Sequence, residues 1–223
     1  DGIRDVAVTG VQTCALPIWH ALEQSRNIPA VKAMIDAGPQ RVLDTARRFG
    51  FGFPQDMQPY LSLALGAAEA SLLEVTSAYS TFPNQGVRMT PYFIASVRDR
   101  DGLLVEDHHA EPHDTLGAPT AYVMTNLLRG VVLRGTAAAA ASLNWPLAGK
   151  TGTMDEYTDA WFIGFDPELT VGVWVGYDEK KSIGSNETGA QAALPIWIDV
   201  MKTHIDAVRT RGGAPTFEAP SNI

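Results

Sequence analysis

One cysteine, Cys14, stands among 223 residues. An internal disulfide is therefore excluded, and so is any cysteine-based metal site. Positive charge is also scarce: 17 Lys and Arg against 25 Asp and Glu leave a formal net charge of -8. No basic stripe runs through the chain, which argues against nucleic acid as a partner. No run of roughly 18 apolar residues occurs, so nothing in the sequence reads as a membrane span. The first residues hold no basic stretch followed by an apolar core and do not read as a secretory signal. Hydrophobic residues nonetheless make up 45% of the chain. That is enough for a real core, in one large domain or one domain of two lobes.

Residues 1–18 mix Gly, Thr and β-branched residues without a helical period. Two readings stand, a short strand plus loop or a non-native or disordered leader, and fold reasoning starts at Trp19. Trp19 to Arg26 supplies two helical turns. Pro29 then sits at a helix-starting position, with Val31, Met34 and Ile35 on one face and Gly38 as the stop. Gln40 to Phe49 follows as a helix with Val42, Leu43 and Ala46 inward. Ser71-Leu72-Leu73-Glu74 is a capping-box pattern that opens a helix running to Phe82. Tyr92 to Val97 and Leu103 to Glu106 flank Arg100-Asp101-Gly102 and read as a hairpin. Residues 107–118 read as a polar connection that carries His108, His109 and His113. A solvated loop is expected there rather than a metal site, because no further ligand has fitting spacing. Pro119 opens a helix through Val132, and Thr136 to Leu143 reads as a second, Ala-rich one.

The last third changes character. Leu147 to Thr153, Ala160 to Phe165 and Thr170 to Tyr177 read as three strands, with Asp166-Pro167-Glu168-Leu169 as a turn. In the third strand Val171, Val173, Val175 and Tyr177 share one face. Thr170, Gly172, Trp174 and Gly176 share the other, where small residues would admit a closely packed helix. The helix opened by Pro195 is expected to fill that place, burying Ile196, Val200, Ile205 and Val208. Residues 209–223 read as a flexible tail. Helices, a hairpin, more helices, then an antiparallel sheet with a closing helix make an α+β plan.

Chemistry concentrates at Lys150-Thr151-Gly152-Thr153, where a cation, two hydroxyls and a position without a side chain end a strand. Gly152 would leave room for a substrate backbone to pair with the strand. The Thr151 and Thr153 hydroxyls can donate to a carboxylate. Lys150 attracts that carboxylate and lowers the pKa of a nearby hydroxyl. The plainer alternative is a solvated strand-end lysine and a glycine bulge. Two Ser-x-Asn triplets, Ser25-Arg26-Asn27 and Ser142-Leu143-Asn144, place a hydroxyl and a carboxamide at a helix end. Such a pair can relay a proton and hold a substrate amide, although Asn also suits a helix C-cap. Ser142 lies in a segment that must turn straight into the strand, so a cap is expected there and Ser25 is the candidate. Trp161 and Trp174 read as core, while Asp159 either anchors a strand entry or lines a cleft.

Ser-x-Asn followed far downstream by Lys-Thr-Gly resembles the penicillin-binding protein and serine β-lactamase superfamily. The pieces Ala21-Leu22-Glu23-Gln24-Ser25-Arg26-Asn27-Ile28-Pro29-Ala30-Val31, Leu63-Ala64-Leu65-Gly66, Asp159-Ala160-Trp161-Phe162-Ile163-Gly164-Phe165 and Glu187-Thr188-Gly189 narrow the resemblance. They are similar, in order, to the transpeptidase domain of class A penicillin-binding proteins, over about residues 19–208. The resemblance implies the transpeptidase fold, an antiparallel sheet packed with helices plus a mainly helical lobe. It implies serine acyl transfer from D-Ala-D-Ala stem peptides, β-lactams as mimics that trap the acyl-enzyme, and no cofactor or metal. By the same resemblance Ser25 would relay protons to the leaving amine and Asn27 would orient the substrate amide. Lys150 would keep the Ser25 proton mobile, and Lys150, Thr151, Gly152 and Thr153 would bind substrate. The Thr153 N–H would be one of two oxyanion-hole donors.

One part of the pattern is missing. The first motif of the superfamily, Ser-x-x-Lys, supplies the nucleophile and its lysine base, yet no serine here is followed three places later by lysine. The expectation is a partial domain truncated before that motif and inactive alone. Its parent would carry an upstream glycosyltransferase domain and membrane anchor and would work on the outer face of the bacterial inner membrane. The alternatives are a non-catalytic stem-peptide or β-lactam sensor, or a D,D-carboxypeptidase or β-lactamase of the same fold.

Overall fold

The computed structural model describes residues 17–221 and 223, so the expectations for residues 1–16 lie outside the described residues. The described residues open with α1 (Ile18–Glu23), α2 (Asn27–Ala37) and α3 (Pro39–Arg48). Gly38 stops α2 and starts α3 with φ of 90°, a left-handed conformation that glycine adopts without a Cβ clash. Met34 and Leu43 turn inward, whereas Ile35 is exposed and leaves the inward face that its spacing from Val31 predicts. A short 3₁₀ turn (Leu61–Leu65) leads to α4 (Leu72–Ser80). The expected capping box is present there. Ser71 Oγ accepts from the Glu74 N–H at 3.2 Å, and Glu74 Oε2 accepts from the Ser71 N–H at 2.8 Å. Glu74 also accepts from the Gly52 N–H. The Ser71 backbone bond, then that of Gly52, hold the Glu74 carboxyl below its ordinary pKa of 4.5.

Two small ladders follow. Strand β1 (Val87–Met89) pairs antiparallel with β4 (Pro112–Asp114), and β2 (Ser96–Arg98) pairs with β3 (Leu104–Asp107). The hairpin is shorter than its apolar residues imply: Tyr92 to Ala95 stay outside the ladder, which also slips register after Val97. The polar connection contains a strand, since residues 112–114 satisfy their backbone against β1. Its histidines take separate partners. His108 faces Glu106, His109 faces Asp107 and His113 faces the Thr90 hydroxyl. No metal-binding cluster occurs among the described residues.

Helix α5 (Ala118–Arg134) is followed by a 3₁₀ segment (Ala138–Leu143) where an α-helix is expected. Asn144 ends that segment in the left-handed conformation, φ of 47°, so the second Ser-x-Asn triplet is a helix cap as anticipated. The antiparallel sheet has the order β5 (Ala148–Thr153), β6 (Asp159–Phe165), β7 (Thr170–Gly176). Lys150 stands opposite Ile163 and Gly152 opposite Trp161. The β6–β7 turn is held by Asp166. Its fully buried carboxylate accepts from the Glu168 and Leu169 N–H groups and the Trp145 indole, and faces His204.

The closing helix α6 (Leu194–Thr210) lies on the other face of β7 from the one expected. The closest approach at Gly172 is made by α4: a Cβ there would meet Thr76 Oγ1 at 2.0 Å. Helix α6 instead covers the valine face, and its buried stripe is Leu194, Trp197, Met201, Ile205 and Val208. Ile196 and Val200 are about half exposed. Apolar residues at both 196/200 and 197/201 fit a helical period, and the larger indole takes the core. Trp197 is fully buried, meets Phe162 edge-to-face at 4.9 Å and donates its indole N–H to the Val171 carbonyl. Beyond the helix, Phe217 packs on Phe165 at the end of the sheet.

Candidate functional site

Ser25 reaches the site by way of a strained helix end. Its N–H bonds to Leu22 O and the Arg26 N–H to Ala21 O, which closes α1 with a Schellman-type pair. That closure puts a residue at positive φ, and here the residue is Ser25, φ of 52°. A serine in the left-handed region costs on the order of 1 kcal/mol relative to the right-handed one, strain that is concentrated at functional sites. Gln24 is thus the C-cap and Ser25 the left-handed residue that follows it, and Asn27 opens α2 instead of ending α1. Both residues are exposed.

The strain is held by the contacts of α1 with α5. Glu23 is buried at 1% exposure and takes the Arg134 guanidinium at 2.5 Å. Gly130 makes this possible, since a Cβ there would lie 2.1 Å from Glu23 Oε1. The Glu23 carbonyl also accepts from the Thr136 N–H at 3.1 Å. One helix end therefore sets both Ser25 and the chain that follows α5.

Lys150 meets Ser25 across 125 positions of sequence: its Nζ donates to Ser25 Oγ at 2.7 Å and to the Thr151 carbonyl at 3.0 Å. The ammonium is half-buried, and loss of hydration lowers its pKa from 10.5 to about 8. Among the described residues it joins no ion pair. A cation drawn out of water without a carboxylate partner is electrostatically uncompensated.

The two threonines of the strand are each secured from behind. Thr151 Oγ1 lies 2.7 Å from Thr136 Oγ1. Thr153 Oγ1 accepts from the Gly189 N–H at 3.0 Å. Gly189 is wedged behind β5, where a Cβ would meet the Trp161 carbonyl at 2.3 Å and the Gly152 carbonyl at 2.5 Å. Gly152 itself abuts the Trp161 side chain: a Cβ there would lie 3.1 Å from Trp161 Cβ. Asp159 resolves as a strand anchor, accepting from the Trp174 indole and the Thr158 hydroxyl. Two concavities lie elsewhere, one between Phe82, Tyr122 and Phe217 and one between Phe53, Tyr60 and Glu74, and neither contains a lysine or arginine.

The structure thus brings together Ser25, Lys150 and Thr151, with Thr153 two residues along the same strand. It leaves Asn27 at the first turn of α2, without a hydrogen bond to Ser25 or Lys150 among the described residues. Thr136, Gly189 and Glu23 were not legible as site residues. Thr136 follows a helix and precedes an alanine run, and nothing local marks it as a neighbour of Thr151.

Comparison with known proteins bears on the family and the fold. Residues 3–202 match the family described as penicillin binding protein transpeptidase domain. Penicillin-binding protein 1A of Aquifex aeolicus is 44% identical over 183 residues, which cover 82% of this chain and 25% of that protein. Penicillin-binding protein 1A of Neisseria gonorrhoeae is 36% identical and is likewise covered over 25% of its length. The chain therefore spans about a quarter of the curated relatives it matches. The crystal structure of penicillin-binding protein 1A from Haemophilus influenzae superposes with a TM-score of 0.84 at 25% identity, covering 92% of this chain and 36% of that one.

Proposed function

The chain belongs to the penicillin-binding protein transpeptidase domain family, and on that premise we propose that it supplies one wall of a D,D-transpeptidase cleft. The wall binds the C-terminal carboxylate of a D-Ala-D-Ala stem peptide and passes a proton to the departing D-Ala. The parent enzyme cross-links peptidoglycan on the outer face of the bacterial membrane by serine acyl transfer. β-Lactams occupy the same wall as stem-peptide mimics. A glycosyltransferase activity in the parent belongs to the same reading.

The observation that carries this reading is the 2.7 Å bond from Lys150 Nζ to Ser25 Oγ. Ser25 accepts from Lys150, so its own proton is free to go to the leaving amine nitrogen as the scissile C–N bond breaks. Lys150 then returns a proton to Ser25. A lysine of pKa about 8 suits that exchange, being acidic enough to give a proton up near neutral pH. Its charge, with the Thr151 and Thr153 hydroxyls, holds the carboxylate. Asn27, two residues beyond the strained Ser25, orients the substrate amide, and the Thr153 N–H donates to the oxyanion.

The nucleophile and its lysine come from a Ser-x-x-Lys element that this sequence does not contain. Alone, the chain binds and does not acylate. Two measurements test this. A peptide ending in free D-Ala-D-Ala should bind reversibly and more tightly than its C-terminal amide, and incubation with penicillin should leave the intact mass unchanged. A covalent penicillin adduct would refute the inactivity, and equal binding of acid and amide would refute the wall.

The same missing element also favours a second reading, a sensor that binds stem peptide without chemistry. It predicts the same binding data, and it alone requires that no Ser-x-x-Lys be encoded in frame upstream.

A further inference from the structure

We propose that Thr136, outside both motifs, is a positioning residue for the carboxylate-binding strand. This rests on the reading of Lys150-Thr151-Gly152-Thr153 as a carboxylate wall. Thr136 Oγ1 and Thr151 Oγ1 share one hydrogen bond at 2.7 Å. Two hydroxyls carry two protons, and one bond uses one of them. With Thr136 as the donor, the Thr151 hydroxyl keeps its own proton to give to an anion in front of the strand; in the opposite sense the spare proton stays on Thr136. Thr153 reaches the same result by another route: its oxygen accepts from the Gly189 N–H, so its own proton is left for a ligand. With Thr136 donating, the strand offers two oriented O–H donors beside the Lys150 ammonium, matching the two oxygens of a carboxylate.

Thr136 is placed for this by the element that places Ser25. Its N–H bonds to the carbonyl of Glu23, two residues before Ser25. Its neighbour Gly135 has no room for a Cβ, which would lie 2.3 Å from that same carbonyl. The Glu23–Arg134 pair locks the junction. Thr136 thus ties the Ser25 turn to the Thr151 hydroxyl, so that the proton relay and the carboxylate donors keep one spacing.

The test uses the full chain and two probes, N-acetyl-D-Ala-D-Ala with a free carboxylate and the same peptide as its C-terminal amide. Binding is followed by the amide resonances of β5. Thr136→Val keeps the shape and removes the hydroxyl, and Thr136→Ala is a second removal should valine disturb the strand. Removing one oriented hydrogen bond should weaken the acid about five- to tenfold and leave the amide unchanged. Thr136→Ser should restore the acid to wild-type binding. Adding Thr136→Val to Thr151→Val should cost nothing beyond Thr151→Val alone, since the two hydroxyls act as a unit. Equal loss of acid and amide binding would make Thr136 a merely structural residue and overturn the proposal, as would failure of serine to rescue. Wild-type preference for the acid, retained in full by Thr136→Val and Thr136→Ala, would overturn this proposal while sparing the wall. A wild type that binds acid and amide alike would sink both.

Discussion

Lys150→Met isolates the electrostatic cost of the site. The lysine titrates near 10.5 when unfolded and near 8 when folded. Below pH 8 both states carry the proton, and the native state bears the full penalty of a poorly hydrated cation. Above pH 8 the native lysine is neutral while the unfolded one still binds its proton, so stability rises with pH until about 10.5. Over the whole window the gain is about 3 kcal/mol, at about 1.4 kcal/mol for each tenfold. The accessible part, pH 7 to pH 9.5, contains about 2 kcal/mol of it. Methionine fills similar volume and does not titrate. Urea unfolding of both proteins at half-unit pH steps gives the difference in stability, from which the other titrating groups cancel. The wild type should gain about 2 kcal/mol on Lys150→Met between pH 7 and 9.5. A difference that stays flat, or one that falls with pH, would refute the reasoning: Lys150 would then be an ordinary hydrated lysine, and its bond to Ser25 would have no electrostatic consequence.

Other perturbations probe what holds the wall in place. Asp166→Ala strands the Trp145 indole and two backbone N–H groups in the interior and should cost about 3 kcal/mol in urea unfolding. Gly130→Ala drives a Cβ to 2.1 Å from Glu23 Oε1; about 2 kcal/mol of destabilisation is expected, and loss of the acid-over-amide preference should accompany it, because Glu23 sets the Ser25 turn. Ser71→Ala removes half of the capping box and should cost about 1 kcal/mol. In that variant the Glu74 carboxyl, seen by NMR, should titrate slightly closer to 4.5 than in the wild type, because the Ser71 hydroxyl bond is gone while the stronger backbone bonds of Ser71 and Gly52 remain.

Local chemistry made much of this molecule legible. Gly38 as a stop, the Ser71–Glu74 box, the Asp166 turn and the three strands follow from residues within a few positions of each other. The pairing of Lys150 with Ser25 was legible only through the order of two short motifs, since a separation of 125 positions leaves no local mark. What stayed hidden depended on a choice between equivalent faces or on distant backbone partners. The two faces of β7 both invite a helix, one by its glycines and one by its valines; α4 takes the first and α6 the second. Ile196 and Trp197 both fit an apolar stripe. Residues 112–114 look like loop until β1 pairs with them. Thr136 sits in an alanine-rich stretch whose helical period conceals its contact with Thr151.

The Lys150 side chain reports most directly on the claim that this wall receives a carboxylate. In the free chain the Cε resonance of Lys150 should titrate with a midpoint near 8. Saturation with N-acetyl-D-Ala-D-Ala should move that midpoint upward, because an anion beside the ammonium favours its charged form, and the amide analogue should leave it where it was. A midpoint that ignores the bound acid would contradict the account, for the carboxylate would then be resting somewhere other than against Lys150.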